Sequence, residues 1–240
     1  MNKFLKPLWL IYIIFIYYPI LIVATILTAI FTIIFCTIGN NNTIGFYPAV
    51  IWSKLACLLA FSPVEVVGRE NLEKNQSYVF AANHTSTYDV FIVYGYLGRS
   101  FKWVMKQEIR KIPLVGFACK KVGHIFLNRK AMKDAFQSME EVKKTLSNGV
   151  SVVIFPEGTR TKTGATAPFK RGAFKVATET NLPIVPVTIS GAFNVWPTTR
   201  KYPIPGKLKM TIHKPVVLHE DAEHSNAQIE EIRQTVMSAL

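Results

Sequence analysis

A long uncharged stretch at the start of the chain sets the strongest limit on how the chain can fold. From Pro7 to Ser53 there is no Asp, Glu, Lys or Arg, and almost every residue from Leu8 to Ile38 is apolar or threonine. As one helix, Leu8 to Ile38 would be roughly 46 Å long, whereas the hydrocarbon core of a bilayer is about 30 Å thick. The sequence therefore predicts a hydrophobic helical membrane anchor that is too long for one straight crossing.

Two features divide this N-terminal region further. Pro19 predicts a kink in the anchor, and Gly39–Asn42 predicts its end. The apolar segment Phe46–Phe61 predicts a second helix, which lies at the membrane interface, packs on the anchor, or packs in an ordinary core. A secretory signal peptide fits less well, because the apolar stretch is far longer than that of a signal peptide and no small-residue cleavage site follows it. Residues 1–63 are accordingly assigned to the anchor and the interfacial helix.

The rest of the chain is strongly basic. The formal net charge is +13, and it is carried by residues outside the uncharged stretch. A basic surface suits either nucleic acid or anionic lipid, and the attached anchor favours an anionic membrane. No RNP, zinc-finger or helix-turn-helix signature is present, so nucleic acid is not expected as a partner. Three cysteines, Cys36, Cys57 and Cys119, form no even disulfide framework, which indicates a reduced domain that faces the cytosol.

From Val64 onward the pattern is that of an α/β domain, assigned to residues 64–240. Short apolar runs that predict strands alternate with amphipathic segments that predict helices, and this alternation indicates a largely parallel central sheet flanked by helices. The predicted strands are Tyr78–Ala82, Lys102–Met105, His124–Leu127, Ser151–Phe155 and Ile184–Ile189, and the clearest predicted helices are Ala131–Ser147 and Ser225–Leu240.

Two polar loops directly follow two of these strands. The sequence "NHTSTYD" (Asn83–Asp89) follows the first strand, and "FPEGTR" (Phe155–Arg160) overlaps the end of the fourth. Open parallel sheets bind ligands at the carboxyl ends of their strands. If these two strands are parallel, the two loops emerge at one edge of the sheet and can share a site.

The first loop has a purely structural explanation and a chemical one. Ser86 and Asp89 fit a capping box, in which Ser86 caps the following helix and Asp89 reaches back to the cap. That explanation leaves His84 without a role, because His84 precedes the cap. The backbone turn between His84 and Asp89 allows the carboxylate to hold the imidazole, whose other nitrogen can then act as a general base near neutral pH.

The ordered motifs carry a resemblance to a known family. "NHTSTYD" resembles the Asn-His-x-Ser-x-x-Asp box of the glycerolipid acyltransferases, and the family's later blocks follow in order: "GHIFLNR" (Gly123–Arg129), "FPEGTR" and "PIVPVTISG" (Pro183–Gly191). Asn128 and Thr161 differ from the residues that are frequent at these positions in the family, so the resemblance specifies the acceptor lipid less closely. The resemblance implies transfer of a fatty acyl group from acyl-CoA or acyl carrier protein to the free hydroxyl of 1-acyl-sn-glycerol 3-phosphate, which gives phosphatidic acid.

The same resemblance assigns roles to individual residues. His84 is the implied base and Asp89 orients it, and no Gly-x-Ser-x-Gly elbow points to a serine nucleophile instead. The implied substrate-binding residues are Lys106, Arg129, Glu157, Gly158, Thr159 and Arg160. Among these, the arginines and Lys106 would bind the acceptor phosphate, Glu157 would bind the glycerol hydroxyl or pair with an arginine, and a backbone amide near Gly158 would stabilise the oxyanion. For Lys106 a solvated helix face is an equally good explanation.

Two alternative functions stay open, namely acylation of another lyso-lipid and a catalytically silent lipid-binding protein. No metal motif and no nucleotide loop is present, so neither a metal nor a cofactor beyond the acyl donor is expected. The expected location is a membrane, the bacterial inner membrane, with the catalytic domain facing the cytoplasm. Lys3 and Lys6 also favour a cytosolic N-terminus, which one full span would separate from that domain. Either the anchor is re-entrant and broken near Pro19, or it spans fully with its N-terminus outside.

Overall fold

The computed structural model describes residues 5–127, 146, 150–218 and 222–240. Within them, the α/β class predicted from the sequence is confirmed. The predicted helix Ala131–Ser147, except for Leu146, and the predicted site residue Arg129 lie outside the described residues.

The described residues contain a seven-stranded sheet. Its strands, in chain order, are β1 (Val64–Val67), β2 (Val79–Ala82), β3 (Phe101–Lys106), β4 (Ile125–Leu127), β5 (Ser151–Ile154), β6 (Ile184–Ser190) and β7 (Leu208–Ile212). The spatial order is β1-β7-β6-β2-β5-β3-β4. Every neighbouring pair is parallel except β6 and β7, which are antiparallel. The five predicted strands all belong to this sheet, and the two loops that follow β2 and β5 emerge at its carboxyl edge.

Helices cover both faces of the sheet. The helices of the described residues are α1 (Leu5–Tyr12), α2 (Tyr18–Ile38), α3 (Tyr47–Leu59), α4 (Tyr88–Tyr96), α5 (Val115–Lys121), α6 (Arg171–Thr180), α7 (Ala192–Val195) and α8 (Ala222–Met237). Residues of β2 alternate between two cores: Phe80 packs with α3 and α4, whereas Val79 and Ala81 pack with α6 and α8. The central strands β2 and β5 are buried along their whole length, which explains their continuous apolar sequence.

The N-terminal helix does not break near Pro19, so the predicted re-entrant form is wrong in this respect. A π-helical segment, Ile13–Tyr17, joins α1 to α2, and the backbone stays helical through Tyr17 and Tyr18. Pro19 lies at the start of α2, where the wider π turn before it accommodates the missing amide N–H. The chain reverses instead between Ile38 and Tyr47, and α3 then runs back along α2.

The reversed helices α2 and α3 pack as a hairpin. Trp52 Nε1 donates to Thr25 Oγ1 at 2.9 Å, and Tyr12 Oη donates to the carbonyl of Leu59 at 2.8 Å. One face of α3 is buried, with Ala56 and Cys57 inaccessible, while Ile51 on the other face is exposed. The segment Phe46–Phe61 therefore packs on the anchor, as one of the alternatives predicted, and keeps an exposed apolar face.

The long N-terminal helix also packs against the α/β domain. Trp9 Nε1 donates to the carbonyl of Pro203 at 2.8 Å, Tyr18 donates to the carbonyl of Lys201, and α2 contacts α5. Residues 5–38 form a helix that is long and apolar enough to cross a membrane. Only 11% of the most apolar 18-residue segment of this helix is buried in the protein. The division of the chain after residue 63 stays a prediction, because the helices before it pack directly on the sheet domain.

A buried lysine fixes the turn between α2 and α3. Lys102 in β3 is fully buried, and its Nζ donates to the carbonyl of Val122 at 2.5 Å and to that of Asn41 at 3.4 Å. Burial lowers the pKa of the Lys102 amino group to about 8. Ser100 also donates to the carbonyl of Asn42. These contacts join the helical hairpin, the end of α5 and the sheet into one unit.

Candidate active site

The two polar loops lie side by side at the carboxyl edge of the sheet. Strands β2 and β5 are parallel neighbours, with Ala81 beside Ile154 in the register. Asn83 and Phe155 therefore leave the sheet at the same level, as the sequence pattern indicated. The backbone N–H of Thr161 donates to the carbonyl of His84 at 3.2 Å, so the loops are hydrogen-bonded to each other.

The carboxylate of Asp89 holds the first loop in shape. Its Oδ2 accepts hydrogen bonds from His84 Nδ1 at 2.9 Å, Thr85 N at 2.7 Å and Ser86 N at 2.8 Å, and Asp89 is fully buried. Ser86 Oγ accepts from the N–H of Tyr88 at 2.9 Å. The capping interactions and the histidine–carboxylate contact are thus both present, and one oxygen atom of Asp89 takes part in each.

The second nitrogen of His84 is left available for chemistry. Nδ1 is bound to Asp89, and Nε2 has no hydrogen-bond partner among the described residues. The His84 side chain is 16% exposed, which is enough for a substrate atom to reach it. Phe155 stacks on the imidazole at 3.9 Å between ring centroids and 8° between planes, and Trp103 stacks behind Phe155 at 5.2 Å. The ring is therefore fixed by a hydrogen bond at one edge and by an aromatic column on one face.

Asn83 and Ser86 attach the first loop to the neighbouring strand and the loop after it. Asn83 is fully buried, and its side-chain amide donates to the carbonyl of Ile189 at 2.9 Å and accepts from the N–H of the same residue at 2.7 Å. This pair of bonds extends the β2–β6 pairing beyond the end of β2. Ser86 Oγ donates to the carbonyl of Trp196 at 2.6 Å. The loop consequently starts from a rigid point on the sheet.

Glu157 binds the backbone of the same loop from its other side. It is 2% exposed; Oε1 accepts from the N–H of His84 at 2.6 Å and Oε2 accepts from the N–H of Ala167 at 2.8 Å. Burial raises the pKa of the Glu157 carboxyl, and these two hydrogen bonds oppose the rise. Both oxygens bind backbone groups, and none of the described arginines forms an ion pair with Glu157. The substrate-binding role of Glu157 stays a prediction.

The remaining predicted residues occupy different positions around the loops. Arg160 is exposed, and its Nη1 donates to Thr87 Oγ1 across the gap between the two loops. Gly158 has φ +76°, and its N–H donates to the carbonyl of Phe155 at 2.9 Å, so this amide closes the turn. An oxyanion donor among the backbone amides near Gly158 stays a prediction. Thr159 is exposed, and Lys106 is exposed at the carboxyl end of β3.

Sequence reasoning missed the aromatic support of His84 and the bridging role of Asn83. The signals were present, since Asn83 precedes His84 and Phe155 opens the second loop, but only the sheet register brings these side chains against their partners. Among the described residues, no group of three or more His, Cys, Asp or Glu side chains could hold a metal ion. The expectation that no metal or other cofactor takes part stays a prediction.

Comparison with known proteins finds relatives that are all acyltransferases by name. The family model described as Acyltransferase matches residues 63–190. A chloroplastic 1-acyl-sn-glycerol-3-phosphate acyltransferase of Brassica napus is 33% identical over 70% of this chain and 49% of its own length. The corresponding Arabidopsis thaliana protein is 32% identical over 79% of this chain and 56% of its own. The chain thus spans about half the length of these curated relatives.

A solved structure covers nearly the whole chain. The crystal structure of the 1-acyl-sn-glycerophosphate acyltransferase PlsC from Thermotoga maritima superposes with a TM-score of 0.78 at 28% identity. The match includes 93% of this chain and 92% of that one. The similarity therefore extends through the N-terminal helices as well as the α/β domain.

The two hydrogen bonds from the backbone to Glu157 can be tested with Glu157→Gln. Glutamine keeps one acceptor oxygen but turns an NH₂ group toward one of the two backbone N–H donors, so we expect the free energy of unfolding to fall by about 1–3 kcal/mol, together with the activity. Denaturant unfolding in detergent measures the first quantity. Thr159→Ala, at an exposed position of the same loop, is the control and should change the free energy little. An unchanged free energy for Glu157→Gln, combined with weaker acceptor binding, would favour a substrate-binding role instead.

Proposed function

Because this chain belongs to the acyltransferase family, we propose that it transfers a fatty acyl group from a thioester to the free hydroxyl of 1-acyl-sn-glycerol 3-phosphate, giving phosphatidic acid. The observation that carries the proposal is the pair formed by His84 and Asp89, with His84 Nε2 available at the carboxyl edge of the sheet. The activities for which the relatives are named, and the solved structure that matches over most of both chains, support this acceptor.

The geometry supports direct transfer with His84 as general base. The acceptor oxygen attacks the carbonyl carbon of the thioester, and His84 Nε2 takes the proton of the hydroxyl. The tetrahedral intermediate then expels the thiolate as the C–S bond breaks, and the imidazolium returns the proton to the sulfur. Asp89 Oδ2 stabilises the imidazolium through Nδ1–H. A thioester is already activated, so no covalent enzyme intermediate is required, and acyl-CoA and acyl carrier protein are both suitable donors.

Arg160 is the group best placed to hold the acceptor phosphate. It is exposed at the mouth of the site, beside Thr87 of the first loop, and a guanidinium binds a phosphate through two parallel hydrogen bonds. Lys106, exposed at the end of the neighbouring strand β3, adds a second positive charge at the same edge. Arg129 retains the same role on the resemblance of its motif alone.

The position of the N-terminal helix supports attachment to one side of a membrane. The helix contacts the α/β domain at Trp9, at Tyr18 and, through α5, near its carboxyl end. A helix that packs on a folded domain along its length cannot pass through about 30 Å of hydrocarbon without drawing that domain into the lipid. The exposed apolar face therefore lies in the interfacial region, with both ends on the side of the domain. The three free cysteines fit a cytoplasmic location, on the bacterial inner membrane.

The activity is tested with membranes that contain the protein, acyl-CoA and a panel of lyso-lipids that differ in headgroup, with the acylated product identified by mass spectrometry. We expect phosphatidic acid as the main product. In a folded His84→Ala variant the rate should fall by about 10²–10⁴-fold, since this is the usual contribution of a general base. A different main product would select the alternative in which another lyso-lipid is the acceptor. No product with any acceptor would favour the silent lipid-binding alternative.

Arg160→Ala tests recognition of the phosphate. Because Arg160 is proposed to contact the acceptor and not the thioester, KM for the lyso-lipid should rise much more than KM for acyl-CoA. Arg160→Lys should restore acceptor binding only in part, because lysine lacks the planar pair of donors. Equal increases in both KM values would instead assign Arg160 to holding the loops together.

A further inference from the structure

A basic and apolar surface lies on the crossover between β3 and β4, which begins just after Lys106 at the carboxyl end of β3. The chain passes through a 3₁₀ turn, Gln107–Lys111, and then forms α5. Three apolar side chains protrude from this crossover: Ile112 is 48% exposed, Leu114 is 37% exposed and Phe117 is 51% exposed. Together with their basic neighbours they form what we call the α5 surface, made of Arg110, Lys111, Ile112, Leu114, Phe117, Lys120 and Lys121.

The backbone holds the apolar side chains outward. Leu114 has φ +62° and ψ −54°, and the N–H of Val115 donates to the carbonyl of Pro113 at 2.6 Å, which is a γ-turn of the rare and strained kind. Gly116 lets the turn pack tightly, because a Cβ at that position would lie 2.3 Å from the carbonyl oxygen of Arg110. A strained backbone conformation of this kind costs on the order of 1–3 kcal/mol. Leu114 is exposed in it, so burial of the Leu114 side chain within the protein does not offset this cost.

Four basic side chains surround these apolar ones. Arg110, Lys111, Lys120 and Lys121 make no ion pair within the described part of the chain, and Lys121 Nζ lies 5.8 Å from the centre of the Phe117 ring. Glu108 is the single acidic residue between positions 106 and 121. Positive charge therefore encloses an apolar tip without acidic partners to neutralise it.

The α5 surface is continuous with the apolar face of the N-terminal helix. Helix α5 packs on α2, whose side chains Phe31, Ile34 and Ile38 are exposed. The buried Lys102 binds the carbonyl that follows α5 and the turn that follows α2, so the two helices are held in a fixed relation. A lipid surface that covers the exposed face of α2 therefore also meets α5.

We propose that the α5 surface is a second membrane contact, in which Ile112, Leu114 and Phe117 enter the boundary between headgroups and acyl chains while the four basic side chains bind the phosphates of anionic lipids. This inference rests on the membrane attachment proposed above. A negatively charged lipid surface satisfies the charges and the protruding apolar groups at once. A soluble acidic carrier or a nucleotide would neutralise the charges but would leave most of the apolar tip in water.

The test uses the full chain and a local photochemical probe. The cross-linking amino acid p-benzoylphenylalanine replaces Phe117 in one protein and Val217 in another. Val217 is the control position: it is 68% exposed. Its neighbour Val216 pairs with Ile184 at the start of β6, so Val217 lies near the amino edge of the sheet. Each protein is bound to phosphatidylcholine vesicles with or without phosphatidylglycerol and irradiated, and lipid adducts are identified by mass spectrometry. Sedimentation of the vesicles records attachment independently of acyl transfer.

We expect lipid adducts at position 117 and few at position 217. Phosphatidylglycerol should be enriched among the adducts beyond its share in the vesicles, and Lys120→Gln with Lys121→Gln should reduce this enrichment by up to about fivefold for each charge removed. Position 117 adducts no more frequent than those at position 217, in protein that sediments with vesicles, would overturn the inference and leave the proposed acyltransferase activity untouched. Protein that stays in solution would overturn the membrane attachment as well. The irradiation is repeated with acyl carrier protein added to the vesicles. Cross-links from position 117 to that protein in place of lipid would overturn the inference and assign the surface to the acyl donor.

Discussion

The active-site geometry depends on one buried carboxylate oxygen. Asp89 Oδ2 accepts hydrogen bonds from the imidazole of His84 and from the backbone of Thr85 and Ser86, so it fixes the start of α4 and the orientation of the reacting ring together. A buried carboxylate with three donors is far more stable than one without partners. The interaction that shapes the loop is therefore the same one that orients the imidazole of His84.

The rest of the site keeps that carboxylate and its histidine at a defined point of the sheet. Asn83 attaches the loop to β6, and Glu157 and Thr161 bind the backbone of His84 from the second loop. The N-terminal helices extend this support, because Tyr88, next to Asp89, donates to the carbonyl of Ala56 and lies 3.2 Å from Tyr17, oxygen to oxygen. Packing of the N-terminal helices against α4 thus places the edge of the sheet that carries His84 and Asp89 close to the apolar N-terminal region.

The sequence predicted those parts of the structure that local pattern determines. Short apolar runs predicted five of the seven strands. The backbone turn between His84 and the start of the next helix predicted the contact of His84 with Asp89. Strands β1 and β7 were not predicted, because their short, partly charged sequences carry little apolar periodicity. One of the two predicted forms bent the anchor at Pro19, whereas a π turn accommodates that proline and the chain reverses over residues 39–46, directly before α3. The hydrogen bonds of Glu157 with His84 N and Ala167 N were not predicted, because only the tertiary fold brings these groups together.

The dual role of Asp89 is tested most directly by the turnover and stability of Asp89→Asn. Asparagine retains a carbonyl oxygen that can accept from Thr85 and Ser86, but it has no negative charge to stabilise the imidazolium of His84. With 1-acyl-sn-glycerol 3-phosphate and acyl-CoA, kcat should fall by about 10²-fold or more, while the free energy of unfolding changes by only about 1 kcal/mol. Turnover close to that of the wild type in a folded Asp89→Asn protein would contradict a catalytic role and leave Asp89 as a helix cap alone.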